Sequence, residues 1–435
     1  MAKRHANEAA ELGAGAGSAP ASPAPPGAKR HQDARAAPSR DRDLFKSIRM
    51  IAEELRGGLM PASPEEIASK VAFLVSAFGS GGFTGTYAGC ILVDLVMRLP
   101  VHDAAAALPP LLDALRGSGS AARNAASSLA GIAIHFRKEM AAFIANTEGA
   151  IAALVGALGN PAAAEGAASV LLQIVDASSE LACRVAGTDG ALDALLGRAH
   201  ADCTTCLGSL SCMVRNSSDV AGALASRPAA FSTLVDLIIR NSDYDLYSHV
   251  NVLKAMCTAN PSLLPRLAST SEVLAALGRV ALPPVHSHWP LTFLAMVAKH
   301  SEDTARSVAQ AEGMLRACAV AACTSTGIYH LSGRRSAKEL LRALATVTPP
   351  ATIAAAFAPQ LSSSDDKERG HARAFLAKEL LSLPPVVLDA LQCAGRQAAA
   401  EAACLRAEVA EVRAIPVNTR AAIVELAGAL RRGGA

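Results

Sequence analysis

Three near-copies of one phrase recur along the chain: Glu148-Gly149-Ala150-Ile151-Ala152-Ala153-Leu154, Asp189-Gly190-Ala191-Leu192-Asp193-Ala194-Leu195 and Glu312-Gly313-Met314-Leu315-Arg316-Ala317-Cys318. Self-similarity at a fixed interval constrains a fold strongly, because each unit of a repeat array buries its apolar flank against the next copy rather than in a central core. With Leu154 as the anchor, equivalent positions fall at Val71, Leu111, Leu154, Leu195, Leu234, Leu277 and Cys318, in steps of 40, 43, 41, 39, 43 and 41 residues. Helical units of roughly 40–47 residues have this period, and the shorter helical repeats of about 33–34 residues do not.

The 435 residues could hold two or three ordinary domains, but the repeats favour one elongated body. Apolar residues make up 51% of the chain and aromatics 3%, so the packing must rest on Ala, Leu and Val. Small side chains let helices approach closely, and Ala has the highest helix propensity. The 41 basic and 38 acidic residues are interspersed and give a formal charge of +3, which lacks the basic footprint of a nucleic-acid binder. Cys90, Cys183, Cys203, Cys206, Cys212, Cys257, Cys318, Cys323, Cys393 and Cys404 lie within apolar helical stretches. Buried free thiols are expected, with no structural disulfides, in a cytoplasmic and possibly nuclear setting. The longest apolar run, Ala150 to Gly159, is too short for a membrane span, and the start reads through Glu8 and Glu11 rather than as a secretory signal.

Residues 1–43 are rich in Ala, Gly, Ser and Pro without apolar periodicity, and are expected to be a disordered tail. Its Lys3-Arg4-His5 and Lys29-Arg30-His31 clusters read as solvated charge, with an import signal as the other reading. Order is expected from near Asp43, with a capping helix over residues 44–63 carried by Leu44, Ile48, Ile51 and Leu55. Repeats then fill residues 64–357, and residues 358–435 form a helical C-terminal cap. Within a unit, a short helix starts at a polar cap, as at Ser178, Ser217, Asn260-Pro261 and Ser301. Gly149, Gly190 or Gly313 closes it in the left-handed conformation. A second helix carries the anchor, and a third covers Ala125 to Ile134, Ala167 to Val175, Cys206 to Val214, Val250 to Cys257, Leu291 to Ala298 and Lys338 to Val347.

The acidic-Gly-Ala-aliphatic turn, the anchor leucines and the apolar third helix together resemble the armadillo repeat family over about residues 64–357, as seven imperfect units. The resemblance implies an all-α, right-handed α-solenoid superhelix whose third helices line a concave protein-binding groove. Importin-alpha and beta-catenin relatives carry an Asn ladder on those helices. Here the ladder position falls on Asp94, Gly131, Gln173, Cys212, Ala255, Met296 and Ala343. One turn earlier stand Cys90, Ser127, Ser169, Gly208, Asn251, Thr292 and Glu339, and Trp289 lies off that register. The missing ladder disfavours a nuclear-transport cargo adaptor of importin-alpha type.

His200, Cys203, Cys206 and Cys212 have zinc-like composition. Cys203, Cys206, Leu207, Leu210, Met213 and Val214 nevertheless form one stripe at helical spacing, which reads as core packing. In His286-Ser287-His288-Trp289, flanked by Pro283-Pro284 and Pro290, the expected role is a loop entering a helix, with Trp289 as an anchor or a partner contact. Arg334, Lys338 and Arg342 share a face beside Arg335 and Glu339, either as solvated charge or as a stripe for an acidic peptide. No phosphate-binding glycine loop, nucleophile elbow, kinase set or metalloprotease helix is present. The chain thus reads as a non-enzymatic interaction scaffold or adaptor for a protein or peptide, without cofactor, metal, nucleic acid or membrane. Its partner-binding residues by register are Tyr87, Asn124, Gln173, Tyr247, Asn251, His288, Trp289 and Arg335. The rival from another class is a zinc-binding or redox protein built on the Cys and His clusters.

Overall fold

The computed structural model describes residues 37–61, 63–80, 82–201, 203–240, 246–282, 288–323 and 330–361, and among them every regular element is helical. The expectations for residues 1–36, for Pro283 to Ser287 and for most of the C-terminal cap, residues 362–435, lie outside these residues. The chain divides into two compact units, Met1–Ser47 and Ile48–Ala435. Helix α1 (Ala37–Arg56) runs through the end of the first and into the second. It starts inside the stretch read as the tail, ahead of Asp43, because extending a nucleated helix costs little and Pro38 is tolerated in a first turn.

The second unit follows the period. After α1 come α2 (Pro64–Ser76) and α3 (Phe83–Met97), then α4 (Val101–Ala104), α5 (Leu108–Leu115) and α6 (Gly119–Phe136). The next two triplets are α7 (Lys138–Asn146), α8 (Ala150–Leu158), α9 (Ala164–Ala177), and α10 (Ser179–Ala186), α11 (Ala191–His200), α12 (Thr204–Asn216). They are followed by α13 (Ser218–Ala225), α14 (Pro228–Arg240), α15 (Tyr247–Ala259), then α16 (Leu263–Ala268), α17 (Ser271–Ala281), α18 (His288–His300). Finally come α19 (Glu302–Gln310), α20 (Met314–Cys323), α21 (His330–Leu344) and α22 (Pro350–Leu361).

Two rows of helices result. The second helices α2, α5, α8, α11, α14, α17, α20 and then α22 each contact the next, and so do the third helices α3, α6, α9, α12, α15, α18 and α21. All the anchors, Val71, Leu111, Leu154, Leu195, Leu234, Leu277 and Cys318, are buried on second helices. Each unit thus covers the apolar flank of its neighbour, and the described residues are an all-α stack of helical repeats.

Local chemistry sets the joints. Ser178, Ser217 and Ser301 cap α10, α13 and α19 by accepting from Leu181, Val220 and Thr304 N–H, respectively. Asn260 instead holds a turn, its Oδ1 accepting from Ser262 N–H at 3.2 Å, and α16 begins at Leu263. Gly149, Gly190 and Gly313 take φ of 69°, 73° and 73°. Two of them correct the expected closing role: Gly149 and Gly190 are the N-cap residues of α8 and α11, so they open the second helix. The third helices run longer than expected, except that α21 stops at Leu344, short of Val347. No single helix among the described residues is long and apolar enough to cross a membrane.

Candidate partner-binding site

The row of third helices turns one face outward. Asp94, Gly131, Gln173, Cys212, Ala255, Met296 and Ala343 are all half-buried, and each is followed by a buried residue. Most positions one turn earlier, among them Ser169, Gly208, Thr292 and Glu339, are half-buried as well. The lining is therefore a strip of mainly small side chains flanked by a few large ones.

Several of its polar groups are used between neighbouring helices. Asn124 is buried, and its Nδ2 passes over Gly85 to donate to Phe78 O at 3.1 Å. Asn251 donates from Nδ2 to Ser211 Oγ at 2.8 Å, tying α15 to α12. Thr292 and Ser336 hydroxyls meet at 2.7 Å between α18 and α21, and Ser209 Oγ donates to Ala168 O at 3.3 Å between α12 and α9. These bonds satisfy polar atoms at the helix contacts and fix the register of adjacent third helices.

The large side chains gather in the middle. Tyr247 opens α15 and Trp289 lies in the first turn of α18, with ring centroids 4.8 Å apart and planes at 68°, the edge-to-face arrangement aromatic pairs favour. His288, buried at 8% exposure, sets its ring 4.5 Å from Trp289. Arg215, in the last turn of α12, donates to Asp176 Oδ1 of α9 at 2.8 Å and faces the Tyr247 hydroxyl. Cys212 sits beside that pair, its thiol pushed up first by burial.

The structure thus brings Tyr247, His288 and Trp289 together and sets Asn251 one turn from Tyr247. Gln173 is half-buried on α9. Tyr87 stands apart on α3, stacked on the exposed Phe83 at 5.6 Å and receiving a 3.5 Å bond from Arg56 Nη2. Arg335 is well exposed on α21 and pairs at 3.6 Å with Glu339, which also accepts from Lys299 Nζ at 3.0 Å. Lys299 first, then Arg335, holds the Glu339 carboxyl below its ordinary range. Arg215 and Asp176 were missed by the register argument. Their signal was Arg215 lying three residues past the Cys212 ladder position, one turn further along the same helix face.

Cys203 is the half-buried N-cap of α12, Cys206 is buried one turn on, Cys212 faces Asp176, and His200 is exposed. Among the described residues no group of three or more His, Cys, Asp and Glu side chains is placed to hold a metal ion. The other row of helices carries an open cleft of about 510 Å³ between α5 and α8, lined by Gly149, Ala153, Gly156 and Arg116, whose guanidinium is paired with Asp113.

No family model matches the chain, and no curated protein matches it. Among solved structures it is similar to an engineered protein from the Northeast Structural Genomics Consortium, with 16% identity, 85% of this chain and 91% of that one covered, and a TM-score of 0.54. It is also similar to yeast importin-beta, with 11% identity, 86% and 68% covered, and a TM-score of 0.32. The first is a likeness of fold alone, and the second is too loose to add to it.

Proposed function

We propose that the chain is a non-enzymatic scaffold or adaptor: seven armadillo-like units in a right-handed superhelix that hold an extended segment of a protein partner along the concave row of third helices. The observation that carries this reading is the Tyr247–Trp289 pair with Arg215 beside it, on a strip otherwise lined by small residues. Aromatic and Arg side chains dominate binding energy at interfaces, and small neighbours let a partner backbone come close. A formal charge of +3 spread over both signs favours a protein over a nucleic acid. Buried thiols at Cys206, Cys257, Cys318 and Cys323 fit a reducing cytoplasmic or nuclear setting.

The test compares proteins captured by the wild type and by a Tyr247→Ala, Trp289→Ala, Arg335→Ala variant, using affinity purification and mass spectrometry. Loss of specific captured proteins by at least tenfold is expected, with an unchanged helical melt. An identical capture list from the folded variant sinks the reading.

A further inference from the structure

The joint between α11 and α12 carries a second chemistry. Cys203 follows the end of α11 and its N–H donates to Arg198 O at 3.1 Å, while its carbonyl accepts from Cys206 N–H at 3.1 Å. As the N-cap it has extended backbone, φ −84° and ψ 92°, so its side chain is set at the mouth of the helix rather than along it. The two side chains stand three residues apart at this first turn, on one side of the helix, close enough for each thiol to bear on the ionisation of the other. Cys206 is fully buried behind Cys203, which is half-exposed. The Arg198 guanidinium lies near both sulfurs, and its Nε is a buried donor without a hydrogen-bond partner.

These contacts separate the two thiols chemically. The neighbouring Cys206 thiol first, then the positive helix start and the Arg198 charge, outweigh burial and bring Cys203 down to about 6. The neighbouring Cys203 thiol first, then burial, pushes Cys206 well up. Residues one helical turn apart have Cβ atoms about 5–6 Å apart, against about 3.5–4.5 Å in a disulfide. Closing such a bond therefore asks for a shift of about 1–2 Å, borne by an N-cap residue already outside helical geometry.

We infer that Cys203 and Cys206 form a hydroperoxide-reactive dithiol, with Cys203 as the attacking sulfur and Cys206 as the resolving one. The Cys203 thiolate attacks the terminal peroxide oxygen: an S–O bond forms, the O–O bond breaks, and two electrons pass from sulfur to the peroxide. The departing alkoxide, or hydroxide from hydrogen peroxide, takes a proton from water. Cys206 then attacks the Cys203 sulfenic acid, the S–S bond forms as the S–O bond breaks, and the Cys206 proton leaves with the hydroxide as water. The buried, unpartnered Arg198 Nε adds positive charge beside the sulfur that begins the sequence.

The probe is hydrogen peroxide at one equivalent on the full chain, followed by quenching, proteolysis and mass spectrometry. The peptide carrying both residues is expected to lose two hydrogens while the exposed Cys90 and Cys183 stay unmodified. In Cys206→Ser, dimedone should trap the sulfenic acid at Cys203, and in Cys203→Ser, Cys206 should stay reduced. Iodoacetamide should alkylate wild-type Cys203 at pH 6.5 within about twofold of its rate at pH 8.5, whereas a thiol of ordinary pKa loses about fiftyfold over that range. Cys206→Ala should restore the steep profile. Oxidation of Cys90 or Cys183 ahead of Cys203, a steep wild-type profile, or bound zinc that survives dialysis and blocks both thiols would each overturn the inference.

Discussion

A methyl group at Gly166 would sit 2.6 Å from the Ala126 carbonyl carbon and 2.8 Å from Ala126 Cβ, so α9 rides directly on α6 at this point. Gly166→Ala should therefore lower stability by about 1–3 kcal/mol, as overpacking at a backbone contact does. Gly197, on α11, would meet nothing within 4 Å, and Gly197→Ala should raise stability by about 0.5–1 kcal/mol through its helix propensity. Denaturant unfolding of the two variants reads both signs, and equal effects would contradict the packing described. The sequence shows both residues as glycines inside helices and cannot separate them, because the difference lies in a neighbour some 40 residues upstream. The same distance effect hid the role of Asn124, whose acceptor, Phe78 O, comes from the preceding unit. That Tyr247 and Trp289 stand on neighbouring third helices follows from the period, but Trp289 itself lies off the ladder register and its contact with Tyr247 does not follow.

At the scale of the element, joints were read well where their chemistry is local. Ser301 accepts from Thr304 N–H at 3.2 Å while its own N–H donates to Thr304 Oγ1 at 3.0 Å, a reciprocal cap visible in four consecutive residues. Ser301→Ala should cost about 1 kcal/mol, seen as a lower urea midpoint with an unchanged slope. Other ends are closed by side chains from the next unit, which no local pattern reveals. Arg184 of α10 donates to Ala145 O at 2.7 Å and to Asn146 Oδ1 at 2.9 Å at the end of α7. Asn216 of α12 donates to Val175 O at 2.7 Å near the end of α9. Such bonds satisfy last-turn carbonyls that a lone helix would leave to water. The glycine turns were placed correctly but assigned to the wrong helix, since a left-handed residue between two short helices can belong to either.

For the second unit as a whole, contacts run from each triplet to the next, so stability should follow the number of intact neighbours rather than any one core. Removal of residues 217–259, which takes out α13, α14 and α15 as one complete period, should leave α12 facing α18. The shortened chain should keep its helical signal per residue to within about a tenth and still unfold cooperatively. A deletion of equal length displaced by half a period should lose both, and circular dichroism with thermal melts distinguishes the outcomes. The period of the array was legible because every anchor is a buried second-helix residue, whereas the strip of third-helix residues proposed to meet a partner follows from register alone. Packed helices stand about 8–10 Å apart, while an extended polypeptide advances about 3.3 Å per residue. A strand laid across α9, α12, α15 and α18 would thus drop one side chain onto each helix at every third position, and sequences that fit should share a triplet rhythm in which the intervening residues vary freely.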